Sequence, residues 1–145
     1  MPERFLSSEE YDEQAHKLYS DGDYDGALQV LKEGLSLYPK AIDLNIGLGY
    51  ARLAREEYAW ARRAFERASA LDDSNEDALV GLGETLLRFG ERQEALALFG
   101  KVARAGYDHD TELMLTMGRA LYRETLYTEC RDIFAQASAA RPDSA

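Results

Sequence analysis

The stretch Glu56-Glu57-Tyr58-Ala59-Trp60-Ala61, followed four residues on by Phe65, decides the fold because the chain repeats its pattern. It aligns with Gly22-Asp23-Tyr24-Asp25-Gly26-Ala27, with Gly90-Glu91-Arg92-Gln93-Glu94-Ala95 and with Thr125-Leu126-Tyr127-Thr128-Glu129-Cys130. The last residues of the four blocks lie 34, 34 and 35 positions apart. Four residues beyond each block stands a large apolar side chain: Leu31, Phe65, Phe99 and Phe134. Twelve residues before each block's end stands a small one: Ala15, Gly49, Gly83 and Gly118. A fixed period of this size marks stacked supersecondary units, each too small to bury its apolar stripe alone.

Working outward from these blocks, each period holds two amphipathic helices joined by a short turn. Ser7-Ser8-Glu9-Glu10 carries a hydroxyl three residues ahead of a carboxylate, a capping-box pattern that starts the first helix, about Glu9–Ser20. Phe5 and Leu6 stand ready to staple it. Gly22 ends it, since glycine accepts the left-handed conformation at a helix C-terminus. Ala27, Leu28, Leu31, Leu35 and Tyr38 recur at helical spacing and predict a second helix over 24–38, stopped by Pro39. The same reading predicts helices over 42–54, 58–71, 76–89, 92–105, 111–123 and 127–140. No run alternates with period two over strand length, so the chain is expected to be all-α. The extra residue of the last period falls in the turn Gly106-Tyr107-Asp108-His109-Asp110.

Composition narrows the function. With 46% apolar and 30% charged residues the chain reads as a folded protein rather than a disordered one. A net charge of −10 opposes non-specific attraction to phosphates, so neither nucleic acid nor a membrane is expected as partner. The N-terminal residues lack a basic stretch followed by an apolar core, and the one cysteine, Cys130, cannot close an internal disulfide. Both observations fit a cytoplasmic setting.

These columns resemble the tetratricopeptide repeat family. The aromatic near the turn reads Tyr24, Tyr58, Arg92, Tyr127; the late small column reads Gly34, Ala68, Val102, Ala137; the closing proline column reads Pro39, Asp73, Tyr107, Pro142. The resemblance implies a right-handed superhelical solenoid of four helix-turn-helix units, about 8–41, 42–75, 76–109 and 111–144, forming one domain over 1–145. It also departs from the family: Asn45 and Arg52 occupy columns that usually pack as aromatic or apolar residues, so the second unit is expected to be looser. After the last helix only Arg141-Pro142-Asp143-Ser144-Ala145 remains, too short for the extra helix that commonly closes such arrays. The face near Leu113, Met117 and Leu121 is therefore expected to be poorly covered, favouring self-association or a capping partner.

Counted from the small column, offsets −6, −3, +1 and +4 share one face of each first helix, because they are three and four residues apart. The resemblance implies that this face is a concave groove. At −6 all four residues are acidic: Glu9, Asp43, Asp77 and Glu112. Each would favour the helix N-terminus by about 0.3–1 kcal/mol, and together they could also form a rim for a basic partner. At −3 stand Asp12, Ile46, Val80 and Leu115; at +1, His16, Tyr50, Glu84 and Arg119; at +4, Tyr19, Leu53, Leu87 and Tyr122. Ile46, Val80, Leu115, Leu53 and Leu87 would make an apolar floor around Tyr50, with Gly47 and Gly81 leaving room beside it. Alternatively these side chains meet across neighbouring helices as core. Arg88, Arg119 and Arg123 are the only basic residues on this surface and cluster in the last two units. The Lys, Asn and Arg clamp with which known tetratricopeptide domains grip the acidic end of heat-shock chaperones is missing.

Chemistry is not indicated. His16 and His109 sit in different units with no neighbouring nucleophile, Cys130 replaces a packing alanine, and no metal-ligand spacing or Gly-rich phosphate loop occurs. No enzyme activity and no cofactor or metal is expected. The expected function is protein binding: an adaptor or assembly factor holding an apolar-anchored peptide segment of a partner. A small acidic secretion-system chaperone and a self-assembling scaffold are the alternatives. Trp60 either anchors a contact on the outer face or packs over its turn.

Overall fold

A computed structural model describes residues 6–105, 111–123, 126, 131–133 and 135, without the side chains of 111 and 112. Expectations for Phe5, His109, Tyr127, Cys130, Phe134 and most of the last helix, for the side chain of Glu112, and for the turn 106–110, lie outside the described residues. The described helices are α1 Ser8–Ser20, α2 Tyr24–Leu37, α3 Ile42–Ala54, α4 Tyr58–Leu71, α5 Glu76–Arg88, α6 Arg92–Arg104 and α7 Thr111–Arg123. Residues 131–133 are also helical, and among the described residues there is no strand. The observed ends lie within a residue of those expected.

Local chemistry accounts for these boundaries. The capping box at α1 is complete: Glu10 N–H donates to Ser7 Oγ at 3.2 Å and Ser7 N–H donates to Glu10 Oε1 at 3.0 Å. Asp23 caps α2 by accepting from Gly26 N–H, and Asn75 caps α5 by accepting from Ala78 N–H. The turns inside the first three helix pairs share one bond pattern. Asp23 N–H reaches Leu18 O, Glu57 N–H reaches Arg52 O, and Glu91 N–H reaches Leu86 O, each closing the preceding helix. The residue before each donor has positive φ: Gly22 at 82°, Glu56 at 62° and Gly90 at 79°. Glu56 therefore carries a side chain in a conformation that glycine adopts without steric cost.

The chain divides into two compact units, Met1–Asp73 and Ser74–Ala145. In the first, α1 pairs with α2 and α3 with α4, while α3 also contacts both α2 and α1. Its core gathers Tyr11, Ala15, Leu28, Leu31, Leu44 and Ala51, with Phe65, Ala61, Ala64 and Ala68 of α4 buried alongside. In the second unit α5 contacts α6 and α7, around Leu79, Val80, Leu86, Leu87, Phe99, Val102, Leu113, Met117 and Leu121.

The small and large columns trade volume. Where the small residue is glycine, the large one is phenylalanine; a Cβ on Gly49 would lie 2.6 Å from the Phe65 ring. A Cβ on Gly83 would collide with the Phe99 ring in the same way. Where the small residue is Ala15, the large one is Leu31, and both are buried in the first unit's core. One methyl group on one helix is balanced against ring size on the next.

Three expectations are corrected here. The second repeat is not loose at Asn45. Its side chain is fully buried, and its amide donates to Ala41 O at 3.0 Å and Pro39 O at 3.3 Å, tying the α2–α3 turn to α3. The face of Leu113, Met117 and Leu121 is not bare: all three are buried in the same core as Leu126 and Ile133. Gly47 does not open space in the groove, because the position of its absent Cβ is taken up by Leu31, whose Cδ2 would be 3.0 Å away.

Candidate functional site

In the first unit the face selected by offset lies on α1 and α3. Asp12, Tyr19, Ile46 and Tyr50 are half-buried, and His16 is exposed. Tyr50 is held by the core: its ring meets Phe65 edge-on, centroids 5.0 Å apart at 80°. Tyr19 is held in the same manner by Tyr24, at 5.1 Å. Leu53 is buried and presents almost no surface. Asp12 lies 3.9 Å from His16. Its carboxyl is held above the ordinary aspartate value, first by burial and then by Asp43 and Glu13, with His16 opposing. The acids Glu9, Glu10 and Asp43 stand in the first turns of α1 and α3, as the helix dipole favours.

In the second unit the corresponding face lies on α5 and α7, and its residues separate into two groups. Val80 is 0% and Leu87 2% exposed, so both belong to the core and support the face from beneath. Leu115 is 46% and Tyr122 60% exposed, and Arg119, one turn from each, is exposed between them. Glu84 bridges the groups. Its side chain is mostly covered, and one oxygen lies 4.0 Å from Arg123 Nη1. Burial pushes the Glu84 carboxyl above the ordinary glutamate value, against the pull of Arg123 and Arg88. A buried acid of this kind is easier to ionise in the unfolded chain than in the folded one. Its presence therefore weakens the fold as pH rises above about 4.5, the ordinary glutamate value. Glu84→Gln is expected to raise the melting temperature at pH 7, with the gain shrinking as pH falls towards 5. A gain independent of pH across that interval would mean that Glu84 ionisation does not matter.

Two features were not legible in the residue pattern. The covering of Glu84 could not be read, because a glutamate on an amphipathic helix is usually solvated. The surroundings of Trp60 were also unseen. Trp60 is 54% exposed, with the Arg52 guanidinium 5.5 Å and the Arg63 guanidinium 5.3 Å from its ring centroid. Arg52 is itself paired with Glu57 at 3.2 Å, so the tryptophan sits over its own turn. Among the described residues no group of three or more His, Cys, Asp or Glu could hold a metal ion. Among the described residues no helix is long and apolar enough to cross a membrane.

Residues 52–110 match the family model described as tetratricopeptide repeat. Over residues 52–110 the chain carries tetratricopeptide repeats. Solved structures of the same fold include the type III secretion translocator chaperone SycD of Yersinia enterocolitica. It is 24% identical with a TM-score of 0.72, over 84% of this chain and 94% of that one. The first tetratricopeptide domain of Spaghetti (RPAP3), bound to the HSP90 peptide SRMEEVD, is 22% identical with a TM-score of 0.67, over 92% and 94%. MamA from Desulfovibrio magneticus RS-1 is 19% identical with a TM-score of 0.68, over 93% and 76%. No curated protein matches the chain. The tetratricopeptide assignment thus agrees with the columns read from the sequence, and these likenesses establish the fold.

Proposed function

We propose that this tetratricopeptide protein is a protein-interaction module, an adaptor or assembly factor. It holds an apolar-anchored peptide segment of a partner protein on the faces of its first helices. The observation that carries this reading is the pair Leu115 and Tyr122, large apolar side chains left in water on α7 with Arg119 between them. Packing within the repeat gives no reason for their exposure, and apolar surface of this kind serves association. Arg119 and Arg123 would orient a polar or acidic part of the segment. In the first unit His16, Tyr19, Ile46 and Tyr50 offer a similar, more acidic face, with Leu53 beneath it. Val80 and Leu87 act as supports and Glu84 as a polar anchor. The reading places the protein in the cytoplasm, without catalysis, cofactor, nucleic acid or membrane. A secretion-chaperone role is a narrower form of it, favoured by the fold shared with SycD.

Leu115→Asp combined with Tyr122→Ala tests it. Both side chains are exposed, so the circular dichroism spectrum should be unchanged. Partner recovered by the purified protein from its native host should fall by tenfold or more, equivalent to about 1.4 kcal/mol or more. Undiminished recovery with an intact fold would exclude the α7 face.

A further inference from the structure

The arginines of α4 divide by helix face, and the division is chemically uneven. At about 100° per residue, Arg62 and Glu66 lie on one flank and satisfy each other, Nε to Oε2 at 3.5 Å. Trp60, Arg63, Arg67 and Leu71 lie on the other flank within an arc of roughly 80°. All four are exposed, Trp60 and Leu71 as the large apolar ends of the stripe. Among the described residues neither Arg63 nor Arg67 has a carboxylate partner. They stand at i and i+4, where like charges repel. In a chain of net charge −10 this is a local surplus of two guanidinium groups without carboxylate partners, one of them resting over the Trp60 ring.

Trp60 adds a second feature. Its ring is braced by Arg52 and Arg63, so an aromatic anchor is already positioned and loses little freedom on binding. We propose that this flank of α4 is a docking site, separate from the first-helix faces, for an acidic segment of a partner protein that carries apolar residues at its ends. Charge complementarity selects the occupant: arginine pairs with carboxylates strongly and directionally. Helix geometry sets its size. Arg63 and Arg67 are spaced by about 6 Å along the axis, which matches carboxylates two residues apart in an extended strand. Trp60 to Leu71 spans about 16 Å, the separation of residues about five apart in an extended strand. The site thus fits an apolar–acidic–any–acidic–any–apolar sequence.

Trp60 is the only tryptophan, so its fluorescence reports directly on this flank. The test titrates the full chain with the acetylated, amidated peptide Leu-Glu-Ser-Glu-Ser-Leu and with versions carrying Gln or Lys in place of both Glu. The expected result is a saturable blue shift of Trp60 emission with the Glu peptide, at least tenfold weaker with the Gln peptide and weakened by salt. In the Arg63→Glu/Arg67→Glu variant the preference should reverse towards the Lys peptide, with helix content retained. If that variant does not fold, Arg63→Gln/Arg67→Gln should lose the Glu peptide by at least tenfold. Tyr122→Ala should leave the titration unchanged, separating this site from the α7 face. No shift up to about 1 mM peptide would overturn the proposal, as would equal binding of the Glu and Gln peptides. A shift that grows with protein concentration in the absence of peptide would assign the flank to a second copy of the chain and also overturn it.

Discussion

Phe99→Ala is expected to lower stability by about 3–5 kcal/mol, because it empties a fully buried aromatic site between helices. The site cannot collapse easily. α5 comes close only because Gly83 has no Cβ, and the Phe99 ring occupies that gap. The reciprocal change follows from the same geometry: Gly83→Ala should cost about 1–3 kcal/mol by overpacking against a ring held on all sides. The two costs should not add. A smaller side chain at 99 makes room for a methyl at 83, so Gly83→Ala with Phe99→Leu should be less damaging than the sum of its parts. Urea unfolding of the two single variants and the double variant measures this coupling. Additive losses would show that the two columns do not share one space.

Leu87→Asp is expected to unfold the second unit rather than to alter binding alone. Leu87 is buried with Val80, Phe99 and Met117 in one core. Removing the side chain forfeits about 2–5 kcal/mol, and an unpartnered polar group in its place adds about 1–3 kcal/mol. That total approaches the whole stability of a small folded unit, about 5–15 kcal/mol. Loss of helical signal and of cooperative unfolding should follow, whereas Leu87→Met should cost less than about 1.5 kcal/mol. Leu115→Asp supplies the contrast. It lies on the same offset-defined face but is exposed, and its effect on stability should stay within about 0.5 kcal/mol. If Leu87→Asp folds as well as Leu115→Asp, the assignment of Leu87 to the core is wrong.

The contrast between Leu87 and Leu115 marks where reading from residues alone stops. Helix number, helix ends and repeat length through Arg123 were legible, because each depends on neighbours in sequence: the Ser7–Glu10 box, the glycine of the Gly22 turn, the 34-residue spacing of Gly49 and Gly83. The interior of the α3–α4 and α5–α6 pairs was legible too, since a Gly sixteen residues ahead of a Phe has a direct packing meaning. Offset along a helix says which residues share a face by helix geometry alone. It could not tell which part of that face is covered, since coverage depends on the neighbouring helix. Val80 and Leu87 are roofed over within the second unit while Leu115 and Tyr122 stand in water, although all four occupy equivalent offsets. Asn45 shows the same limit from the other side. Its type suggested a defect, and only the positions of the Pro39 and Ala41 carbonyls turned it into a fastening. Covalent neighbours set the helices and their period. Which apolar groups stay exposed, which carboxyl is buried at Glu84 and which arginines flank Trp60 were decided by long-range packing, where side chains distant in sequence compete for the same space.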